Sequence, residues 1–327
     1  MSRPKSWQLV RIVSEGLQLK KFEPGIEWKK TSMEIASQMS CSLKLSRFSF
    51  SVYLAITLSL TSCQPSDADP ATGSEQGKRD DIEALAAACD RGDDMRCHLL
   101  GLEYALGDKV SQDYEKAASL FEKACASNIA EACAFLASSY HNGAGVEKDV
   151  TKATELDTLA CSLGDGTGCK GAAQSYVYGD GVEQDFAQAR NFAEEACEKG
   201  HAEGCRILAN LYYEGQGVQQ DIKQAARHYV EACNGSDAVS CHNVGSMLEG
   251  IDNVAAQKES VAYFQKSCDL DHGRACAKIG YLYATGEGAV AQDFEKAITA
   301  YKRGCSAGFE VACQDYRSLQ EASRGGG

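Results

Sequence analysis

Fourteen cysteines fall into seven pairs with seven residues between the members of each: Cys89 and Cys97, Cys125 and Cys133, Cys161 and Cys169, Cys197 and Cys205, Cys233 and Cys241, Cys268 and Cys276, Cys305 and Cys313. Three chemistries compete for thiols so arranged. Metal binding wants short Cys-x2-Cys spacings with two further ligands close by, and the six scattered histidines supply none, so no metal site is expected. Thiol redox catalysis wants a depressed thiol pKa, typically in a Cys-x2-Cys motif, which is absent. Structural bridges remain. A ring of nine residues disfavours the unfolded chain by about 2.5 kcal/mol on the loop-entropy model.

The elements that hold these pairs repeat with them. Successive first cysteines stand 35 to 37 residues apart, a fixed period that marks a stacked array. Three and four residues after each second cysteine but the last come an apolar and a small residue, as in Leu136 and Ala137 or Val244 and Gly245; after Cys313, Arg317 replaces the small residue, which fits a solvent-facing cap. The seventh is Tyr104, Tyr140, Tyr176, Tyr212, Leu248 or Tyr283. Offsets of 0, 3, 4 and 7 make one buried face of an α-helix, called helix A. Glycines ten and twelve residues after the cysteine, such as Gly143 and Gly145, then suit a turn. Twelve residues before the next first cysteine stands Asp113, Asp149, Asp185, Asp221 or Asp293, the expected N-cap of helix B. Each period is therefore an antiparallel helical hairpin, with a bridge from the last turn of helix B to the first turn of the next helix A. The copy spanning Gly250 to Ser267 departs: it lacks the glycine pair, has Ala256 in the cap position, and predicts a reshaped turn.

The Leu-Ala, Tyr and Gly-x-Gly-Val marks of these hairpins resemble the Sel-1-like repeat, a relative of the tetratricopeptide repeat. The cysteine pairs resemble those of the Helicobacter cysteine-rich protein family, over about residues 81 to 320. The resemblance implies an all-α, right-handed α/α superhelical solenoid stapled by disulfides. It also implies a β-lactam hydrolase or penicillin-binding activity. The machinery for such hydrolysis is not visible, since the only Ser-x-x-Lys is Ser2 to Lys5 and no Lys-Thr-Gly follows. His98, His141, His201, His228, His242 and His272 never approach His-x-His spacing.

Sixteen cysteines in all suit an oxidising compartment, so export is expected. Residues 1–38 match no part of the array and read as an upstream segment outside the natural start. Residues 39–62 read as a signal peptide: Lys44 and Arg47 form the basic region, and the thirteen-residue apolar run from Phe48 to Leu60 is too short to span a bilayer. Leu60-Thr61-Ser62-Cys63 resembles a bacterial lipobox, which implies acylation of Cys63 and, with Gln64 following, an outer-membrane lipoprotein facing the periplasm. The alternative is an ordinary secretory signal. Residues 63–80, without apolar periodicity, are expected to form a disordered tether, residues 81–323 the repeat domain, and 324–327 a disordered tail.

The net charge of −13, although residues 1–62 are net basic, argues against a nucleic-acid or anionic-lipid surface as partner. Offsets 1, 5 and 8 of helix A flank its buried face and would line a groove shared by stacked helices. There Lys170 and Arg206, with Gln174, Asn210 and Tyr213, would clasp a carboxylate and the backbone of an extended peptide. The competing reading is a solvated face. The sequence thus points to a monomeric, lipid-anchored scaffold binding a protein or peptide ligand, peptidoglycan-related peptides included, with no cofactor. The alternative is a weak β-lactam hydrolase or penicillin-binding protein.

Overall fold

A computed structural model describes residues 75–325. The upstream segment 1–38, the signal segment 39–62, Cys63 and the tether as far as residue 74 lie outside the described residues, as do residues 326 and 327. Among the described residues there are fourteen α-helices and no strands: α1 (Glu75–Asp90), α2 (Asp94–Leu106), α3 (Tyr114–Ala126), α4 (Ala130–Asn142), α5 (Val150–Ser162), α6 (Gly166–Tyr178), α7 (Phe186–Glu198), α8 (Ala202–Glu214), α9 (Ile222–Asn234), α10 (Ala238–Glu249), α11 (Val254–Asp269), α12 (Gly273–Thr285), α13 (Phe294–Ser306) and α14 (Glu310–Gly325). Even-numbered helices are helices A and odd-numbered ones helices B. Each packs on its chain neighbours, as in an α/α solenoid. Helices A of successive hairpins pack directly at α4–α6, α6–α8 and α12–α14, whereas among helices B only α11–α13 comes comparably close, so helices A form the inner layer.

The local signals account for these helices. Asp113, Asp149, Asp185, Asp221 and Asp293 are each extended, and each accepts a backbone N–H from the first turn that follows, which satisfies an otherwise orphaned donor. Gly107, Gly143, Gly179, Gly215 and Gly286 end their helices A in the left-handed region. A glutamine clamp that sequence reading missed closes the turn: Gln112, Gln184, Gln220 and Gln292 donate to the carbonyls of Ala105, Val177, Tyr213 and Ala284 at 2.6 to 2.8 Å. The apolar and small positions of helix A are buried, Leu136 to 2 % and Ala137 to 0 % exposure, because the small residue lets its partner helix approach.

Two boundaries differ from expectation, and the departing copy is reshaped as its sequence predicts. Helix α1 begins at Glu75, so residues 75–80, assigned to the tether on composition, are helical. Its sequence EQGKRD lacks apolar periodicity, so pattern alone could not place the start. The closing helix α14 runs to Gly325, past Ser323, with Arg317 exposed as a terminal repeat requires. In the departing copy the turn is reshaped: α10 stops at Gly250 in a right-handed conformation, Ile251 is buried, and Asn253 caps α11 through the amides of Ala255 and Ala256. Helix α11 is 16 residues long against 13 for the other B helices from α3 to α13, because its cap sits three residues ahead of Ala256.

All seven cysteine pairs are bridged eight residues apart, with Cα atoms 4.4 to 4.7 Å from one another. Each bridge joins the last turn of a helix B to the first turn of the next helix A. A framework of this kind suits an oxidising compartment. No described helix is long and apolar enough to cross a membrane.

Candidate functional site

The five residues read from the sequence as a ligand clasp lie together on α6 and α8, but the two cations meet carboxylates of the chain itself. Glu203, in the first turn of α8, accepts from Gln174 Nε2 at 2.9 Å and from Arg206 Nη2 at 2.7 Å, with Lys170 Nζ 3.7 Å away. Arg206 also donates through Nε to Asp237 Oδ2 at 3.3 Å. Asp237 accepts the Ser240 amide through its other oxygen as the N-cap of α10. Arg206 and Asp237 are only 22 % and 15 % exposed, so this ladder of charges ties α6 to α8 and α8 to α10. The reading of Lys170 and Arg206 as free cations awaiting a ligand carboxylate is corrected accordingly.

The error has a definite source. Residues at offset 1 from the second cysteine reach across to the start of the next helix A. His98 meets Glu131 at 3.3 Å, Lys170 meets Glu203, Arg206 meets Asp237, and the His242 ring lies 5.1 Å from that of His272. Acidic residues in the first turn of the following helix A were the signal that would have found these partners.

Asn210 accepts the Tyr229 hydroxyl proton at 2.6 Å, and the Tyr213 ring stands edge-on to Tyr229 with centroids 6.5 Å apart. Two hollows flank α6 on this side. One, of about 290 Å³, lies between α6 and α8 and is lined by Gln174, Arg206, Ile207 and Asn210, with Gln184 and Gln216 from the turns and Phe186 at the start of α7. The other, of about 360 Å³, lies between α4 and α6, lined by Ser138, His141, Thr167, Lys170 and Gln174 over Asp157. Gln174 and Tyr178 border both, so the hollows adjoin. Tyr213 lines neither. Tyr178, which sequence reading passed over, is 71 % exposed, the most of any large hydrophobic residue among the described ones.

Asp157 is the unusual titrating group here. Burial pushes its carboxyl up to about 7, with the nearby Asp165 adding to the shift and Lys170 opposing it. Among the described residues, the clusters that bring three possible metal ligands together are Cys161, Cys169 and Glu195, and Cys197, His228 and Glu231. Their cysteines are bridged, and a disulfide sulfur offers no thiolate to a cation.

A likeness to solved structures accompanies this geometry. The Sel1 repeat protein from Oxalobacter formigenes is 20% identical, with a TM-score of 0.62 over 69% of this chain and 99% of that one. A protective antigen of uropathogenic Escherichia coli displaying an SLR fold is 23% identical, with a TM-score of 0.43, over 73% of this chain and 59% of the antigen. At this identity the first likeness fixes the fold alone. None of the curated proteins matches the chain. The Sel1 repeat family profile, in contrast, matches residues 97–129, 130–165, 169–201, 202–237, 238–272 and 273–309, the same hairpins that the caps, turns and bridges mark out. The chain belongs to the Sel1 repeat family, a scaffold suited to protein binding, and its bridges fit the cysteine-rich members of that family.

Proposed function

We propose that the chain is an exported, lipid-anchored scaffold of the cell envelope that binds an extended peptide or a protein segment across α4, α6 and α8. The observation that carries this reading is the pair of adjoining hollows bordered by Gln174 and Tyr178. An exposed tyrosine between two concavities is the form of an interface anchor, because its ring brings large contact area at little entropic cost. Asn210 and Gln174 supply amides beside it for a peptide backbone. Arg206 supports the site by holding α8 against α10, and its role as a direct clasp falls to second place. Anchoring through Cys63 rests on the lipobox and on the pairing of every other cysteine beyond the signal segment. The β-lactam hydrolase reading gains no residue set from the geometry, and turnover of a chromogenic cephalosporin by the purified chain would restore it.

Selection of a displayed random-peptide library on the repeat domain tests the groove. Tyr178→Ala is expected to weaken the selected peptides about tenfold or more, the scale of a hot-spot aromatic. Lys302→Ala, on the exposed side of α13, should leave them unchanged. Equal affinities for both variants, or no enrichment, would overturn the site. For the anchor, Cys63→Ala should move the protein from the membrane fraction to a soluble or unprocessed form. Unchanged fractionation at normal size would rule the lipid out.

A further inference from the structure

The hollow between α4 and α6 exists because one repeat lacks the aromatic filling of its neighbour. At the preceding position of the array, His98 of α2, Phe121 of α3 and Phe135 of α4 pack as a trio, with ring centroids 5.3 to 5.8 Å apart. One period on, the same three registers read Ala134 of α4, Asp157 of α5 and Gly171 of α6. The Asp157 register is otherwise Phe121, Ala193, Tyr229, Phe264 and Tyr301, so aromatic rings occupy it in four of the five other hairpins. Three rings are thus replaced by a methyl group, a carboxyl group and a hydrogen. The space left is the 360 Å³ hollow, with Asp157 on its floor.

Gly171 is part of this arrangement. A Cβ at that position would stand 2.2 Å from Asp157 Oδ2, so the carboxyl lies where a side chain on α6 would otherwise be. A half-buried carboxyl in an aromatic's place costs stability when ionised, and among the described residues Asp157 has no hydrogen-bond partner to offset that cost. The charged and titratable groups around it are Lys170 of α6, Asp165 at its N-cap, His141 of α4, and Asp180 of the turn after α6. Lys170 is drawn toward Glu203. The hollow is left with an excess of carboxyl groups.

We infer that this hollow receives a protonated amine of the bound peptide, either a lysine-type side chain or a free α-amino group, seated against Asp157. The inference rests on the peptide-binding reading above. An entering ammonium would add the close counter-charge that Lys170, drawn toward Glu203, supplies only in part, and Asp157 would give up its proton to become the partner. Amine binding is therefore coupled to proton release. A carboxyl that titrates near 7 is protonated in mildly acid solution, so the affinity rises as pH rises from 5.5 to 8; a lysine-type amine stays charged throughout, and a free α-amino group, which loses its proton at about 7.7–8.0, gives back part of the gain at the upper end.

Three probes separate the possibilities when titrated into the whole chain by calorimetry: Nα-acetyl-lysine methylamide, norleucine methylamide with its α-amino group free, and Nα-acetyl-norleucine methylamide with no amine. One or both amine probes are expected to bind at least tenfold more tightly than the third at pH 8, and at least tenfold more tightly at pH 8 than at pH 5.5. Which of the two prevails tells a side-chain ammonium from a chain terminus. Asp157→Asn, nearly isosteric, should abolish both the preference and the pH dependence. In the unsubstituted chain, NMR titration of the Asp157 carboxyl carbon should move to lower pH when the amine probe is added. Equal binding of all three probes, no binding, or a carboxyl titration unmoved by the probe would overturn the inference. If library-selected peptides bind through Tyr178 without needing an amine, the amine site falls while the groove stands.

Discussion

Reducing the seven bridges is expected to unfold the repeat domain at 37 °C. Each nine-residue ring contributes about 2.5 kcal/mol by restricting the unfolded chain, and seven together exceed the roughly 5–15 kcal/mol net stability of an ordinary domain. The array has little to set against this loss, because each hairpin packs only on its chain neighbours and buries small residues such as Ala137, Ala173 and Ala209 at its tight contacts. Circular dichroism of the reduced, alkylated chain at 37 °C should show most of the helix lost, and non-reducing peptide maps should join every cysteine to the one eight positions away. A reduced chain that keeps its helical signal and midpoint, or crossed pairing, would refute the account. Reduction should also be staged. Cys305 and Cys313 are half-buried whereas the twelve others are at most 6 % exposed, so access puts the C-terminal bridge first under mild thiol.

Gly145→Ala is expected to destabilise the array by more than about 3 kcal/mol, which is large for a single methyl group. Gly145 sits at φ +75, where an L side chain costs about 1–2 kcal/mol. Its added Cβ would also stand 2.0 Å from the carbonyl oxygen of Tyr114 and 2.6 Å from the amide nitrogen of Glu115. Those atoms open α3 in the preceding hairpin and are held by the Asp113 cap, so the clash can be relieved only by parting two repeats. Gly181 meets Val150 and Gly217 meets Phe186 in the same way, so this second turn glycine sets the spacing between hairpins. Gly92→Ala is the matched control: its φ is +92 with nothing within 4 Å of the added Cβ, and it should cost only the conformational share. Denaturant unfolding of both variants decides the point, and equal losses would mean that the contact with α3 is not tight.

Much of this architecture was legible in the residues alone because it is local and repeated. A helix face is set by offsets of three and four, a cap by one carboxylate two or three residues from its amide, and a bridge by cysteines eight apart. Six or seven copies in register leave the period beyond doubt. Where a copy broke the pattern at Ala256, the departure itself was visible, although the substitute cap at Asn253 was not, because asparagine three residues upstream fits a turn as readily as a cap.

What the tertiary structure decided is everything that crosses from one repeat to the next. Lys170 looked unpaired because its partner Glu203 stands 33 residues later in chain order, and Arg206, which has Glu203 one helical turn back, reaches Asp237 31 residues later; only stacking brings these two cross-repeat pairs to 3.7 and 3.3 Å. Asp157 looked like one more charge on helix B until its neighbours placed it on the floor of a hollow that aromatic side chains fill elsewhere. Tyr178 looked like the last residue of a helix, and it proved to border two concavities. A sequence period specifies each hairpin because short-range geometry is the same in every copy. The site arises where neighbouring copies differ, and the sizes and charges of those differences act only once the hairpins are packed side by side.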